Sequence, residues 1–528
     1  MKHPAFVIIT LLVLLRPIAL ADGPTEAMFS SFQSTIKALN RKVHGENIQH
    51  LWSDDGNFLY AKIWDAGKAE YQWFSYDLAT GDRKPGKNEG KVAESKKLKS
   101  TIPNSSTRQN ALSPDKSWTA SVSDGAIILT PKEGAARSQT YELPEGSQWQ
   151  KKFQWAPDSS ACVAWHVTSH PVTKVHYIRS SPEKSLQPEQ FAIDYPKAGD
   201  RLNIPRPVIF FTDGSPPMEL DAKLSENPFE IRNLRWHPDS KSLTLEYTER
   251  GFGEFTVIEM DVSERKQRAL LTEKSDTFVY VYGNCFYHEL ANGNEALWLS
   301  QRTGYNHLYL VDRKTGKTIR PLTGGRGLVR EIIAINEKAR TVTASVAGIY
   351  PGQDPYFLHY IRIGIDDGKI THLTEANGTH EIFLQPNGNA YIDKWSRVDQ
   401  PPVHEIRRLS DGKLIVALPA ADLTELKKFG WIAPEPFVAK DRNGKFDIHG
   451  VIIRPIGFDP SKKYPVIEQI TNVDPSSTYQ VVDALIKADK DFDYIMVPGA
   501  NHGVGDSSKH LRRKRIEFFQ KHLQLPEP

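Results

Sequence analysis

From about Asn47 to Gly430 the chain alternates apolar and polar residues in short runs, and most runs stop at Gly, Pro, Asp, Asn or Ser. Leu243-Thr-Leu-Glu-Tyr247 is typical of the period-two pattern of a half-buried strand. One phrase recurs before such strands: Trp52-Ser-Asp-Asp55-Gly56, Leu112-Ser-Pro-Asp115-Lys116, Trp155-Ala-Pro-Asp158-Ser159 and Trp236-His-Pro-Asp239-Ser240. Its aspartates stand 60, 43 and 81 residues apart, the last spacing being nearly two units of about 40. A second phrase marks other reversals, in Tyr76-Asp77 to Gly81, Val311-Asp312 to Gly316, and Ile365-Asp-Asp367-Gly368. Asp and Ser close tight turns, and Gly supplies the positive φ that many of them need.

Units of about 40–45 residues with four strands each are propeller blades, because one blade cannot bury both of its faces alone. The pattern predicts a mainly β protein with a β-propeller over residues 47–430, of about eight blades, with seven allowed where insertions blur the spacing. Ahead of it, in residues 22–46, Met28, Phe32, Ile36 and Leu39 are spaced for a helix within Thr25–Val43. Between blades, the insertion from Arg179 through Asp200, with its Pro, Ser and charged content, predicts an irregular surface loop.

After Gly430 the texture changes. Glu435–Lys445 and Phe446–Arg454 read as strand, turn and strand, and Lys463-Tyr-Pro-Val-Ile-Glu-Gln-Ile470 as a buried strand. Asp474-Pro475 opens a helix running to about Lys487, with Pro at its first position. Asp493 to Val497 reads as another buried strand, followed by a loop bearing His502 and a basic helix. Residues 431–528 are therefore expected to be part of an α/β domain.

Composition adds limits. Hydrophobic content of 39% and charged content of 25% suit a globular protein with ample core. A net charge of +3 gives no nucleic-acid footprint, and the basic run Lys509 to Arg515 reads as a solvated helix face. Lys2, the apolar run Phe6–Leu15 and Ala19-Leu20-Ala21 predict a signal peptide over residues 1–21, hence an exported, periplasmic or extracellular protein. No other run reaches membrane-spanning length. Cys162 and Cys285, the two cysteines, are open to one bridge or two buried thiols.

The candidate catalytic residue is His502, carried on a loop after a buried strand, as in the acid/base histidine of a Ser/Asp/His triad. No G-x-S-x-G turn occurs in the 528 residues. Ser476, Ser477, Ser507 and Ser508 lie at helix starts without a glycine elbow, and Asp474 reads as a helix cap. His166, His170 and His176 lie within eleven residues, but no H-E-x-x-H is present. Neither a metal nor a cofactor is called for.

Several strings, taken in their order along the chain, resemble the prolyl oligopeptidase family of serine peptidases, most closely its dipeptidyl peptidase IV-like branch. They are Tyr195-Pro-Lys-Ala-Gly199, Ser300-Gln-Arg302-Thr-Gly304-Tyr-Asn306-His307, Val451-Ile-Ile-Arg-Pro455, Asn472-Val-Asp-Pro475 and Asn501-His502-Gly503. The resemblance implies a propeller capping an α/β-hydrolase, and cleavage of short peptides after or near proline. It implies that His502 is the triad histidine. The triad acid would stand two positions before Asn472, where this chain has Ile470. The family anchors the substrate amine on paired propeller glutamates; no Glu-Glu occurs here, and Glu183, Glu189 and Glu249 are left as single candidates.

An α/β domain of this kind needs roughly 200–250 residues, and 431–528 supplies about half of that. The pattern jumps at Ile470–Thr471, where the nucleophile elbow would belong. The expectation is an incomplete hydrolase that keeps only its histidine, partnered by short, possibly proline-containing peptides, with a homodimer as a further possibility. The alternative is a non-catalytic propeller that binds peptides or protein partners.

Overall fold

Strand follows strand through short turns, and the computed structural model resolves these strands into a succession of antiparallel sheets. It describes Ser34, Lys37 and residues 42–86, 92–94, 96–97, 111–134, 137–139, 141–179, 185–283, 285–386, 389–455, 457–462 and 482–492, with single positions at 494–495, 510–511, 513–515 and 517–518. The signal peptide, most of the N-terminal helix, the strand before Ile470 and the His502 loop lie outside the described residues.

Among the described residues, seven sheets of three to five strands succeed one another between Gln49 and Ala417, besides one two-stranded hairpin; the sequence spacing suggested about eight, with seven allowed. The 60-residue interval between the first two phrases holds no extra sheet among the described residues. The 81-residue interval is lengthened by a two-stranded excursion within the third sheet rather than by a whole unit. Most sheets are four-stranded meanders, as in Pro228–Trp236, Ser242–Glu249, Glu254–Asp261 and Lys266–Lys274 of the fourth.

Apolar residues on both faces of these sheets explain why they stack. Leu243, Leu245 and Tyr247 pack on the third sheet's Val163, Ile209 and Phe211. Phe255 and Val257 pack on the fifth sheet's Tyr287 and Trp298. Similar cores join the second to the third, the fifth to the sixth, and the sixth to the seventh. The seventh sheet's Ile392, Ile406 and Leu418 meet Trp52, Leu59 and Ile63 of the first. The stack thus curves back on itself as propeller blades do, and among the described residues no core cluster joins the first sheet to the second.

The recurrent phrase has a role between blades. Trp155 Nε1 donates to the Ala111 carbonyl at 3.2 Å, and Trp236 Nε1 donates to the Gln154 carbonyl at 3.2 Å. The Asp115 N–H donates to Ser159 Oγ at 3.3 Å, and the Asp158 N–H to Ser240 Oγ at 3.0 Å. The Trp155 and Trp236 phrases therefore each hang on the phrase before through an indole and a hydroxyl. Lys116, Ser159 and Ser240 occupy one position of the phrase with φ of 63°, 66° and 61°. In Trp52-Ser-Asp-Asp-Gly56 that position is glycine, the residue suited to it.

Turns after the second strand of a sheet, and the linkers to the next sheet, lie at the end opposite these phrases. This second side carries the C-terminal hairpin Glu435–Lys440 and Asp447–Ile452. His449 stands 3.6 Å from Asp354 and packs edge-on against Tyr356 at 5.7 Å, both in the turn segment of the sixth sheet. Helical residues at 482–487 agree with the predicted helix, whereas Tyr494 and Ile495 are in no strand and Ile495 is 41% exposed.

Candidate functional site

The third sheet's excursion differs from the loop expected there. Lys174–Arg179 and Glu189–Asp194 pair as an antiparallel hairpin, with Val175 opposite Ile193 and Tyr177 opposite Phe191. The alternation that makes it was present in Val175-His-Tyr177 and Phe191-Ala-Ile193, masked by the polar residues around them. The Tyr177 and Phe191 rings stack at 5.4 Å, and Ile178 is 71% exposed.

At the foot of this hairpin, Asp200 accepts hydrogen bonds from the Thr173 and Lys197 N–H groups, each at 2.9 Å, and these hold its carboxyl below the usual range. Tyr195-Pro-Lys-Ala-Gly199 is this foot. Arg250, in the facing turn of the fourth sheet, donates to the carbonyls of Asp200 and Lys197, the latter at 2.8 Å.

Arg250 opens the turn Arg250-Gly251-Phe252-Gly253, in which Gly251 has φ 104° and Phe252 φ 61°. A phenylalanine in this region is held against its preference, at a cost of about 1–3 kcal/mol. Its ring is the hub of an aromatic cluster: 4.8 Å from Phe229, 5.3 Å from Phe278 and 5.8 Å from Tyr282. Its carbonyl accepts the Val279 N–H at 2.7 Å.

The linker from the fourth to the fifth sheet runs extended through Phe278-Val-Tyr-Val-Tyr282. Val279 and Val281 are buried, while Phe278, Tyr280 and Tyr282 face outward at 46%, 41% and 55% exposure. Rings 278 and 280 lie 6.4 Å apart, and rings 280 and 282 lie 6.1 Å apart. Three exposed aromatics in a row, on the side that carries the C-terminal hairpin, form an apolar stripe.

Glu249 ends the strand beside this turn and makes no direct ion pair among the described residues. Burial, then the carboxylates of Glu249, Glu254 and Glu226, push the Tyr247 hydroxyl up to about 12. Three carboxylates thus gather about Tyr247, with Arg206, Arg250 and, on Glu254 at 2.8 Å, Lys274 as the neighbouring cations. Of the other two candidate glutamates, Glu189 sits on the exposed hairpin and Glu183 lies outside the described residues.

The Ser300–His307 string has a structural task. Buried Glu273 accepts from Ser300 Oγ at 2.6 Å and from the Gln301 N–H at 2.9 Å. Arg302 donates to Ser300 Oγ at 2.7 Å and lies over the Tyr309 ring. Asn306 and His307 bond to Val329, Thr323 and Gly325, which fastens the turn to the linker into the sixth sheet. Gln301 Nε2 donates to the Tyr280 carbonyl at 3.2 Å, so this string braces the stripe from behind.

His166 is buried edge-on to Trp149, and burial holds its imidazole below the usual range. His176 stands on the separate hairpin, and among the described residues no His, Cys, Asp or Glu group converges as a metal would require. The two cysteines are free, in different core clusters. Burial raises both thiols, that of Cys285 to about 12. His502, the candidate catalytic residue, lies outside the described residues.

A model of the dipeptidyl peptidase IV N-terminal region matches residues 148–402, and a model of the prolyl oligopeptidase family matches residues 471–526. The second match starts at Thr471, the position where the sequence pattern jumps. Among solved structures, Porphyromonas gingivalis dipeptidyl peptidase 4 is similar at 18% identity with a TM-score of 0.48, covering 79% of this chain and 59% of its own. A Bacteroides ovatus protein named after dipeptidyl aminopeptidase IV is similar at 20% identity and TM-score 0.48, covering 77% of this chain and 57% of its own. The chain spans less than two thirds of either relative.

Proposed function

Because the chain belongs to the prolyl oligopeptidase family, on its dipeptidyl peptidase IV-like side, we propose that it binds short peptides on the aromatic stripe beside Glu249 and does not hydrolyse them. The observation that carries the binding half is the stripe itself, an exposed apolar strip next to a carboxylate that suits a peptide's amine. The other half rests on the missing elbow. Loss of a triad serine alone costs on the order of a million-fold in turnover, and the acid's position is also taken, by Ile470. The sequence thus offers His502 neither an elbow serine nor the family's acid as a relay partner.

The test uses the purified chain. A fluorescein-labelled Ile-Pro-Ile-Ala peptide should bind, measured by anisotropy, and Tyr280→Ala with Tyr282→Ala should weaken it about tenfold. Gly-Pro-p-nitroanilide should be left intact and a fluorophosphonate probe should not label the protein. Turnover lost in His502→Ala would refute the inactive half; absence of peptide binding would refute the other.

A second reading takes the chain as a proline-directed exopeptidase whose catalytic centre is missing from this sequence. It is favoured by the family match that begins at Thr471. Sequencing the gene and transcript across codons 470 and 471 decides it, since an in-frame insert carrying Gly-x-Ser-x-Gly would restore the elbow. Export and a homodimer complete the proposal. The apolar run at the N-terminus supports export, which cell fractionation with N-terminal sequencing of the mature protein tests. The exposed Ile178 and stacked Tyr177–Phe191 support a dimer gripped through the hairpin, and light scattering of Ile178→Asp should then give a monomer.

A further inference from the structure

We infer that Arg250 is a positioning residue: it clasps the foot of the projecting hairpin to the aromatic stripe, so that the two hold their relative places as one surface. The inference deepens the peptide-binding reading above and rests on it for its purpose, though not for its geometry.

Three observations carry it. Arg250 is bonded on both sides of itself. Its guanidinium serves the Asp200 and Lys197 carbonyls in the third sheet's excursion, while its backbone N–H donates to the Asn227 carbonyl at 2.9 Å. A guanidinium fork suits this double duty, because its N–H groups are fixed in one plane and cannot be lost to deprotonation.

Second, the turn it opens is strained at Phe252. Such a conformation persists only where the surroundings over-determine it. Here the fixing groups are the Phe252 N–H to the Glu249 carbonyl at 3.0 Å, the Val279 N–H on the Phe252 carbonyl, and the rings of Phe229, Phe278 and Tyr282. One residue, Gly251, therefore separates the clasp from the hub of the stripe.

Third, the carbonyls that Arg250 grips are themselves held in place. The Asp200 carboxylate ties the two ends of the excursion together through Thr173 and Lys197. A path of hydrogen bonds and one short turn thus runs from the hairpin to Phe278 and Tyr282. Among the described residues the stripe belongs to no sheet, and it is held by the Phe252 carbonyl, by Ser275 Oγ on the Phe278 N–H and by Gln301.

The experiment compares the full chain with Arg250→Gln, Arg250→Lys and Asp200→Ala. The last touches nothing in the stripe and frees the gripped carbonyls from the far end. In Arg250→Gln and Asp200→Ala, trypsin should cut after Lys174 or Arg179 about tenfold faster, as read by mass spectrometry. Amide exchange of residues 277–283 should quicken by a similar factor, with Tm kept within about 2 °C. Arg250→Lys, able to serve one carbonyl, should fall between. For the labelled peptide, Kd should rise about tenfold in Arg250→Gln.

Faster cutting of the hairpin with unchanged exchange at 277–283, in Arg250→Gln or in Asp200→Ala, would overturn the clasp. So would wild-type peptide affinity in Arg250→Gln. If the wild-type chain binds no peptide, the reading of the stripe falls, and the exchange data alone still decide the clasp.

Discussion

Lowering the pH from 7 to 5 should loosen the seventh sheet from both of its neighbours. His359 of the sixth sheet and His404 of the seventh are almost wholly shielded, at 2% and 3% exposure. His359 lies 4.8 Å from the ring of His380, which is bonded to Asp393 at 2.7 Å and to the Ala376 carbonyl at 2.9 Å. That carbonyl only accepts, so His380 Nε2 carries a proton. Tyr350 and His372 close the other side of His359, and Arg407 lies 3.5 Å beyond Asp393. Burial first, then His380, lowers His359 to about 3; burial, then Lys394 and His50, lowers His404 to about 4.

The unfolded chain takes up both protons as pH falls through about 6.5, while the folded chain does not until near 4 or below. Their contribution is therefore present above about 6.5 and lost as the solution is acidified. At pH 5 each site has lost about 2 kcal/mol relative to pH 7, or about 4 kcal/mol together. Urea unfolding at the two pH values measures this, and His359→Phe should shrink the wild-type difference by about 2 kcal/mol. An unchanged midpoint between pH 7 and 5, or a wild-type difference in His359→Phe, would refute the reasoning.

Other outcomes follow from the same seams. Ser240→Ala removes the hydroxyl that receives the Asp158 N–H and leaves a side chain at φ 61°, so urea unfolding should show a loss of about 1–2 kcal/mol. Ser240→Gly, which suits that backbone, should lose less. Glu273→Ala strands Ser300 Oγ and the Gln301 N–H in a buried place, so a loss of about 2–4 kcal/mol is expected, with faster amide exchange at 300–307. Ellman's reagent should leave Cys162 untouched and Cys285 slow at pH 8 in the native protein, while both thiols react in 6 M guanidinium.

Read alone, the sequence determined whatever depends on local order. Alternating runs and turn residues place strands such as Ser242–Glu249. The recurring Trp-x-Pro-Asp phrase sets blade spacing, and the absence of a Gly-x-Ser-x-Gly turn bears on chemistry without any geometry. The hairpin at Lys174–Asp194 was present in the pattern but was hidden by its charged and proline-rich surroundings.

Tertiary structure decided the rest, because those features join residues far apart in the chain. Nothing local distinguishes Ser240 from a plain turn residue until Asp158 of the previous sheet is laid against it. Phe278, Tyr280 and Tyr282 read as an ordinary strand pattern, and only packing determines that their valine neighbours face the core while the rings face out. Arg250 is one more charged turn residue until the foot of another sheet's hairpin arrives at its guanidinium. Local pattern specifies which face of a segment avoids water; contacts between sheets determine what that face meets.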